Sequence, residues 1–517
     1  MNATPWRRLH SRMIWVDAVQ SVVSLMPTGF AVWVVGMEPT LGNMWPVLAI
    51  AAFGVLGATA DALRWVFTRY RVTEDYVERR TGVFVRRYRS VRRDRIRSVD
   101  TEAKLRHRLS GLRVVKIGAG QQSSAGESAF DLDAVHTDDA AALRRELLWG
   151  EAPSAPAPAV DAGPAALEPE EKQVLARLRP GWVVYNMFNI WAYLMALGLL
   201  WGAYWLGTAV GFDVGGFIEG LVDWEALGWG RSIVVGALVV GAVGAVGLGV
   251  NFFTENWNFE LARVPGENGT LLRTRQGLFK TREVNRDDTR LRGIQISEPL
   301  LWRWMGMADT NVVTTGLDLW SMSQPTTILP RGPIGVARPV AAAVLGVHES
   351  PLEVPLARHP RAALRRRMWW ATLTAVAVVV LLGWLAANDV VPFAMMWAGV
   401  ALWPIAVAAA VVAYRALGHA VSGEYLVVRS GLMSRQTTAL KRSAVSTVAV
   451  RQSLLQRRLG LKTVAAMSAA GWGAYHAPDV PADAAVALAS EAAPGLLEPF
   501  LVPQTSGARE RDMPSRV

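Results

Sequence analysis

The sequence predicts a membrane α-helical protein with six spans arranged as three hairpins. It also predicts three cytoplasmic polar domains, each a small bent antiparallel sheet capped by a C-terminal helix. Three observations carry this. Arg-x-Gly-hydrophobic motifs stand at Arg80 to Val83, Arg275 to Leu278 and Arg429 to Leu432, and their glycines, Gly82, Gly277 and Gly431, are each followed 29 positions later by Gly111, Gly306 and Gly460. Each copy follows a pair of long apolar runs. Finally, 51% of the 517 residues are hydrophobic and the mean hydropathy is +0.22, too apolar for an ordinary soluble chain.

A hydrocarbon core about 30 Å thick needs roughly 20 apolar residues in a helix. The stretches that qualify run from Ile14 to Gly36, Trp45 to Phe67, Val183 to Leu206, Ser232 to Phe253, Met368 to Ala387 and Phe393 to Tyr414. The first carries Asp17, Gln20 and Pro27 and follows Arg7, Arg8 and Arg12, like a secretory leader, but no small-residue cleavage site follows, so it counts as a span. Basic residues cluster on one side of the six: Arg7, Arg8, Arg12, Arg64, Arg69, Arg71, Arg177, Arg179, Arg361, Arg365 to Arg367 and Arg415. The opposite loops, 37–44, 207–231 and 388–392, hold only Arg231. The bias toward a positive inside places both termini and all three polar domains in the cytoplasm of a bacterial plasma membrane. In the fourth span Ala237, Gly241, Ala245 and Gly249 recur every fourth position, a row expected to admit a neighbouring helix.

Between the paired glycines the copies agree in type: Ile96, Leu291 and Val445; Leu105, Leu300 and Leu454; Arg108, Arg303 and Arg457. The local pattern predicts a hairpin closed by the first glycine, an extended strand, a short helical turn stopped by the second glycine, and a further strand. A helix then closes each copy, over Thr137 to Leu148 with Thr137 as its cap, Gly335 to Leu345, and Asp483 to Glu491. The expected order is an N-terminal segment and first hairpin (1–67), first polar domain (68–150), Pro/Ala linker and juxtamembrane helix beginning over Glu170 to Leu178 (151–181), second hairpin (182–253) and second domain (254–347). A basic linker (348–367), third hairpin (368–414), third domain (415–493) and disordered tail (494–517) complete it.

The hairpin motif, the run Asp94 to Val99 and the run Ser453 to Leu461 resemble the bacterial PH-like domain of membrane-flanked, YdbT-like proteins, in which three such domains alternate with helix pairs. The second copy departs most, with an insert at Val264 to Thr270 and Trp302, Arg303 and Trp304 in place of the basic turn. The resemblance implies a PH-like fold at a membrane and an association with envelope stress or antimicrobial peptide tolerance. It implies no phosphoinositide ligand, because a fold does not confer a ligand.

Composition narrows the chemistry. No cysteine is present, which excludes disulfides, thiolate nucleophiles and Cys-based zinc sites. The net charge of +11 and pI near 10.2 favour anionic lipid head groups over nucleic acid as a partner. The seven histidines share no metal spacing, no nucleotide loop or nucleophile elbow occurs, and no carboxylate pair recurs, so neither an enzyme nor a cofactor is expected. The candidate contacts to an anion or acidic partner are Arg86, Arg87, Arg89, Arg92, Arg93 and Arg95, beside the second span. Two readings of that cluster stand: a surface that orients the domain or binds an acidic partner, and a solvated run that sets topology. The columns Arg80, Arg275, Arg429 and Arg108, Arg303, Arg457 are expected to fix turns by binding carbonyls or a carboxylate such as Asp94 or Asp288, or else to line an anion pocket. Asp17 and Asp61 within the first hairpin are candidates for a transport path or for head-group contacts. The expected role is docking and assembly with a smaller PH-like-domain membrane protein or through self-association, ahead of a transporter component and of a lipid enzyme.

Overall fold

The computed structural model describes residues 5–16, scattered positions between 19 and 64, and 65–118, 130–149, 172–315 and 326–500 apart from 83–85, 94–95, 97, 188–190, 210, 222–223 and 267–268. Asp17, Asp61, Asp94, Arg95, most of the first two expected spans and the linker 151–171 lie outside the described residues. The chain divides into two compact units, Met1–Leu291 with Trp302–His348, and Arg292–Leu301 with Glu349–Val517.

In chain order the strands are β1 Arg7–Arg8, β2 Arg69–Val72, β3 Tyr76–Thr81, β4 Arg87–Arg92, β5 Ser98–Lys104, β6 Leu112–Gly118, β7 Phe130–His136, β8 Gln173–Arg177, β9 Glu260–Gly266 and β10 Gly269–Gln276. They continue with β11 Lys280–Asp287, β12 Leu291–Pro299, β13 Met307–Thr314, β14 Thr327–Pro333, β15 Gly418–Ser422, β16 Tyr425–Ser430, β17 Ser434–Lys441, β18 Thr447–Arg451, β19 Leu461–Met467 and β20 Ala474–Pro481. In the first unit β1 to β4 form one sheet and a second runs β7-β6-β5-β11-β10-β9-β8. In the second unit β12, β17, β16 and β15 are joined in that order, and β18, β19 and β20 form a separate sheet.

The two glycine columns adopt two distinct conformations. Gly82, Gly277 and Gly431 have φ of 116°, 110° and 114°, whereas Gly111, Gly306 and Gly460 have φ of 69°, 70° and 65°. The first set turns the hairpins so tightly that a Cβ on Gly277 would lie 1.9 Å from the Lys280 carbonyl oxygen, and one on Gly431 2.0 Å from that of Ser434. The second set ends the short helical turns. Gly111 N–H donates to the carbonyl of Arg108, Gly306 to Arg303 and Gly460 to Arg457 (3.2, 2.9 and 3.4 Å). The carbonyls of the same glycines accept from Thr137, Ile334 and Ala482 N–H (3.0, 2.7 and 2.9 Å), fastening each C-terminal helix to its sheet. Those helices are Thr137–Trp149, Ile334–Leu345 and Ala484–Ala492. Thr137 is helical and its hydroxyl donates to the Gly111 carbonyl, so it fastens the helix to the sheet where the sequence predicts a cap. Ser453 does cap its helix, in a reciprocal box with Gln456.

Each sheet closes over apolar side chains. In the first repeat Val77, Val99, Leu112, Val115, Ile117 and Leu132 pack with Leu143 of the helix; in the third, Leu440, Leu461, Val464, Val480 and Leu488 are buried. Burial of such side chains stabilises a fold by roughly 1.5–3 kcal/mol each.

Among the described residues, three helices are long and apolar enough to cross a membrane: Trp229–Asn256, Arg361–Ala387 and Met395–Arg415. Only 11%, 6% and 11% of their most apolar windows is buried against protein, the exposure expected of lipid-facing surface. The third expected span, continuous in sequence, is instead the pair Pro180–Met187 and Trp191–Thr208, bent by 89°. Gly241 and Gly249 of the predicted small-residue row do meet the neighbouring helices, but the closest approach is at Gly244, where a Cβ would sit 1.8 Å from the Ala192 carbonyl oxygen; Ala237 is exposed. A helical face includes i+3 as well as i+4 positions, so the four-residue row predicted only part of the contact.

Two further expectations are corrected. The start of the juxtamembrane helix, Glu170 to Leu178, contains strand β8, which pairs with β9: an open strand edge outweighs local helix preference. Of the expected disordered tail, residues 494–500 hold turns and the short helix Glu498–Phe500, and 501–517 lie outside the described residues.

Candidate functional site

The structure separates the candidate arginines. Arg86, Arg87, Arg89 and Arg92 are exposed on or beside β4, where Tyr88, held by Glu78, is also 55% exposed. Arg93 is turned inward and donates to the Glu146 carbonyl in the C-terminal helix, so it braces the fold. Arg80 and Arg275 stand on β3 and β10 before their hairpin glycines, and Arg429 holds the same place on β16. Arg108 donates to the Leu278 carbonyl at 2.5 Å, in the hairpin of the next repeat rather than in the turn beside it. Asp288, a predicted partner for the column, instead accepts from Arg263 and Thr270, both at 2.6 Å.

One dense polar cluster is marked by no sequence motif. Asp479 is fully buried on β20 and has a φ of 63°, a left-handed conformation that Asp tolerates better than most residues. It sits where β19 and β20 slip register between Lys462 and Val464, a bulge that turns its carboxylate inward. That carboxylate accepts from Arg366 at 2.5 Å, from Arg367, and from the buried Gln456 at 2.9 Å. Both arginines belong to the first two turns of helix Arg361–Ala387.

Two histidines complete the cluster. His359 Nδ1 lies 3.0 Å from the Asp479 carbonyl, and His419 Nδ1 lies 3.2 Å from His359 Nε2. Because a carbonyl only accepts, His359 carries a proton on Nδ1, and in the neutral ring Nε2 accepts from His419. Burial, followed by the neighbouring His359, lowers His419 to about 4. Burial also lowers His359, despite the opposing pull of Asp479.

The same place in each repeat ties down a segment at or just before the start of an apolar stretch. In the first repeat, register slips between Arg113 and Val115, and the Ala134 carbonyl accepts from His10 N–H at 2.8 Å. In the second it slips between Ala308 and Thr310, and the Arg331 carbonyl accepts from Asn186 at 3.1 Å, while Arg331 itself grips Asp309 through two bonds of 2.7 and 2.9 Å. In the third the tie is Asp479 with His359. No group of three or more His, Cys, Asp or Glu able to hold a metal occurs among the described residues.

A second recurring arrangement is the strand joint. Within the first unit β5 pairs with β11, where Glu102 meets Lys116, Lys280 and Arg282 at 3.2, 3.1 and 3.6 Å, and the buried Asp100 accepts from Asn285 N–H at 3.2 Å. Burial alone would raise the Glu102 carboxyl, but those cations leave it below its ordinary value. Within the second unit β12 pairs with β17, and both Glu298 oxygens accept from Arg435. Sequence reading missed both joints, since their partners lie more than a hundred positions apart.

These arrangements give sheets that continue across repeats and are tied to apolar helices. No characterised protein and no solved structure matches the chain. The bacterial PH domain family does match, over residues 22–149 and 370–494, each match taking in an apolar segment and the polar domain after it.

Proposed function

We propose that this chain is a multipass protein of the bacterial plasma membrane, YdbT-like in alternating three PH-like domains with helix pairs, the middle repeat included. In this reading the domains and both termini face the cytoplasm, and the domains act as docking and assembly surfaces beside anionic lipid, with a smaller PH-like membrane protein as the partner. The setting is envelope stress or tolerance of antimicrobial peptides. The observation that carries it is the use of sheet edges as joints: twice in one chain, a strand of one repeat completes the sheet of the next through backbone bonds and a buried carboxylate–guanidinium pair.

Affinity isolation of the full chain from native membranes tests this. A stoichiometric membrane partner is expected, together with tight retention of anionic lipid. Purified chain that moves a solute across proteoliposomes, or turns over a lipid, with no partner present would overturn the proposal in favour of a transporter or an enzyme.

A further inference from the structure

Two joints in this chain share one strand register. In the first unit β5 runs antiparallel to β11 with Glu102 directly opposite Arg282; in the second β12 runs antiparallel to β17, with Ser297 opposite Gln436 at the matching position and the ion pair one residue along, Glu298 opposite Arg435. Each time, the strand that follows a repeat's hairpin brings the carboxylate, and the return strand of the next repeat's hairpin brings the guanidinium. The carboxylate strands are buried by the contact, from Val99 to Ala103 in β5 and from Gly293 to Glu298 in β12.

The corresponding return strand of the first hairpin is β4. Register puts Arg87 opposite Thr81, one residue before Gly82, as Arg282 lies opposite Gln276, one residue before Gly277. Among the described residues β4 ends its sheet with β3 as its one neighbour, and all of it except Val91 is exposed. Such an edge is a template for another strand.

We propose that β4 receives an antiparallel strand with an Asp or Glu opposite Arg87, supplied by a different PH-like chain. The proposal rests on the docking reading above and names the chemistry of its partner. A second copy is disfavoured by charge. Its docking strand would be β18, whose Arg451 lies opposite Thr463, three residues past Gly460, just as Glu102 lies opposite Val114, three residues past Gly111. Head-to-tail copies would therefore set Arg451 against Arg87, and like charges directly opposite destabilise a strand pair. Anionic lipid would neutralise the arginines but leave the edge N–H and C=O groups without the strand that both internal joints supply.

The test is photocrosslinking of the full chain in native membranes, with a photoreactive phenylalanine analogue at Tyr88 and, separately, at Ser90 in case the first site disturbs the contact of Tyr88 with Glu78. A third version carries it at Leu454, which is 83% exposed in the third repeat. The expected product at β4 is an adduct to a strand of another PH-like polypeptide that contains Asp or Glu, identified by sequencing the linked peptide. Arg87→Glu lowers its yield at least fivefold, and Arg87→Lys keeps most of it. An adduct at β4 to a second copy, to lipid alone, or to nothing overturns the proposal. If Leu454 captures a protein while β4 does not, docking stands and the strand edge falls; if neither site captures one, both fall.

Discussion

Replacing Asp479 by Asn tests the membrane tie directly, because Asn keeps the shape and tolerates a φ of 63° while removing the charge. In the native fold the carboxylate faces two guanidiniums, Arg366 and Arg367, and the Gln456 amide, in a site with no exposure of Asp479 itself. Removing one partner of a buried ion pair costs about 3–5 kcal/mol. The arginine side chains are 24% and 18% exposed and so recover some hydration, which places the cost near the lower end, about 3 kcal/mol. At 1.4 kcal/mol per tenfold, local opening becomes roughly a hundredfold more frequent. Hydrogen exchange of the full chain in a lipid nanodisc reads this at the amides of 359–367 and 479–482, with β16 and β17 as internal controls. Unchanged protection at those amides, or an equal loss in β16 and β17, would refute the claim that Asp479 fastens this helix to the sheet.

Four more outcomes follow from the geometry. Gly431→Ala meets the Ser434 carbonyl at 2.0 Å, whereas Gly460→Ala meets nothing within 4 Å and carries only the left-handed strain of roughly 1–2 kcal/mol, so protease resistance of the third repeat falls further in the former. His107 and His419 are both lowered to about 4, first by burial, so the unfolded chain binds protons below about pH 6.5 that the folded chain refuses. Thermal stability is accordingly full above that pH and declines as pH falls toward 4, and His419→Gln reduces the decline. Glu298→Gln removes the charge facing Arg435 and costs about 1.5–3 kcal/mol, read as faster exchange in β12 and β17 with β18 to β20 unaffected. Glu102→Gln does the same at β5 and β11, and since the Glu102 carboxyl is lowered, that joint weakens in the native chain as acid titrates it.

Local features were legible in the sequence because short-range sterics determine them. Gly82, Gly277 and Gly431 marked hairpins because few residues other than glycine adopt a φ above 100°. Hydropathy alone found the helices Trp229–Asn256, Arg361–Ala387 and Met395–Arg415. What stayed hidden depends on distant partners. His359 and Asp479 are 120 positions apart, and neither lies in a spacing that signals chemistry. The residues before β9 read as a helix because Glu, Lys, Leu and Ala favour one locally, yet the open edge of β9 claimed them as β8. Arg93 looked like its neighbours in the basic run, and only the nearby Glu146 carbonyl sets it apart.

The anchoring of Arg366 and Arg367 has a mechanical corollary. Both side chains grow from a rigid rod whose far end is apolar, and no flexible hinge separates their grip on Asp479 from that rod. Were that rod to span a bilayer, a tilt imposed by a thinner or thicker one would arrive at β20 as torque rather than being lost in slack chain.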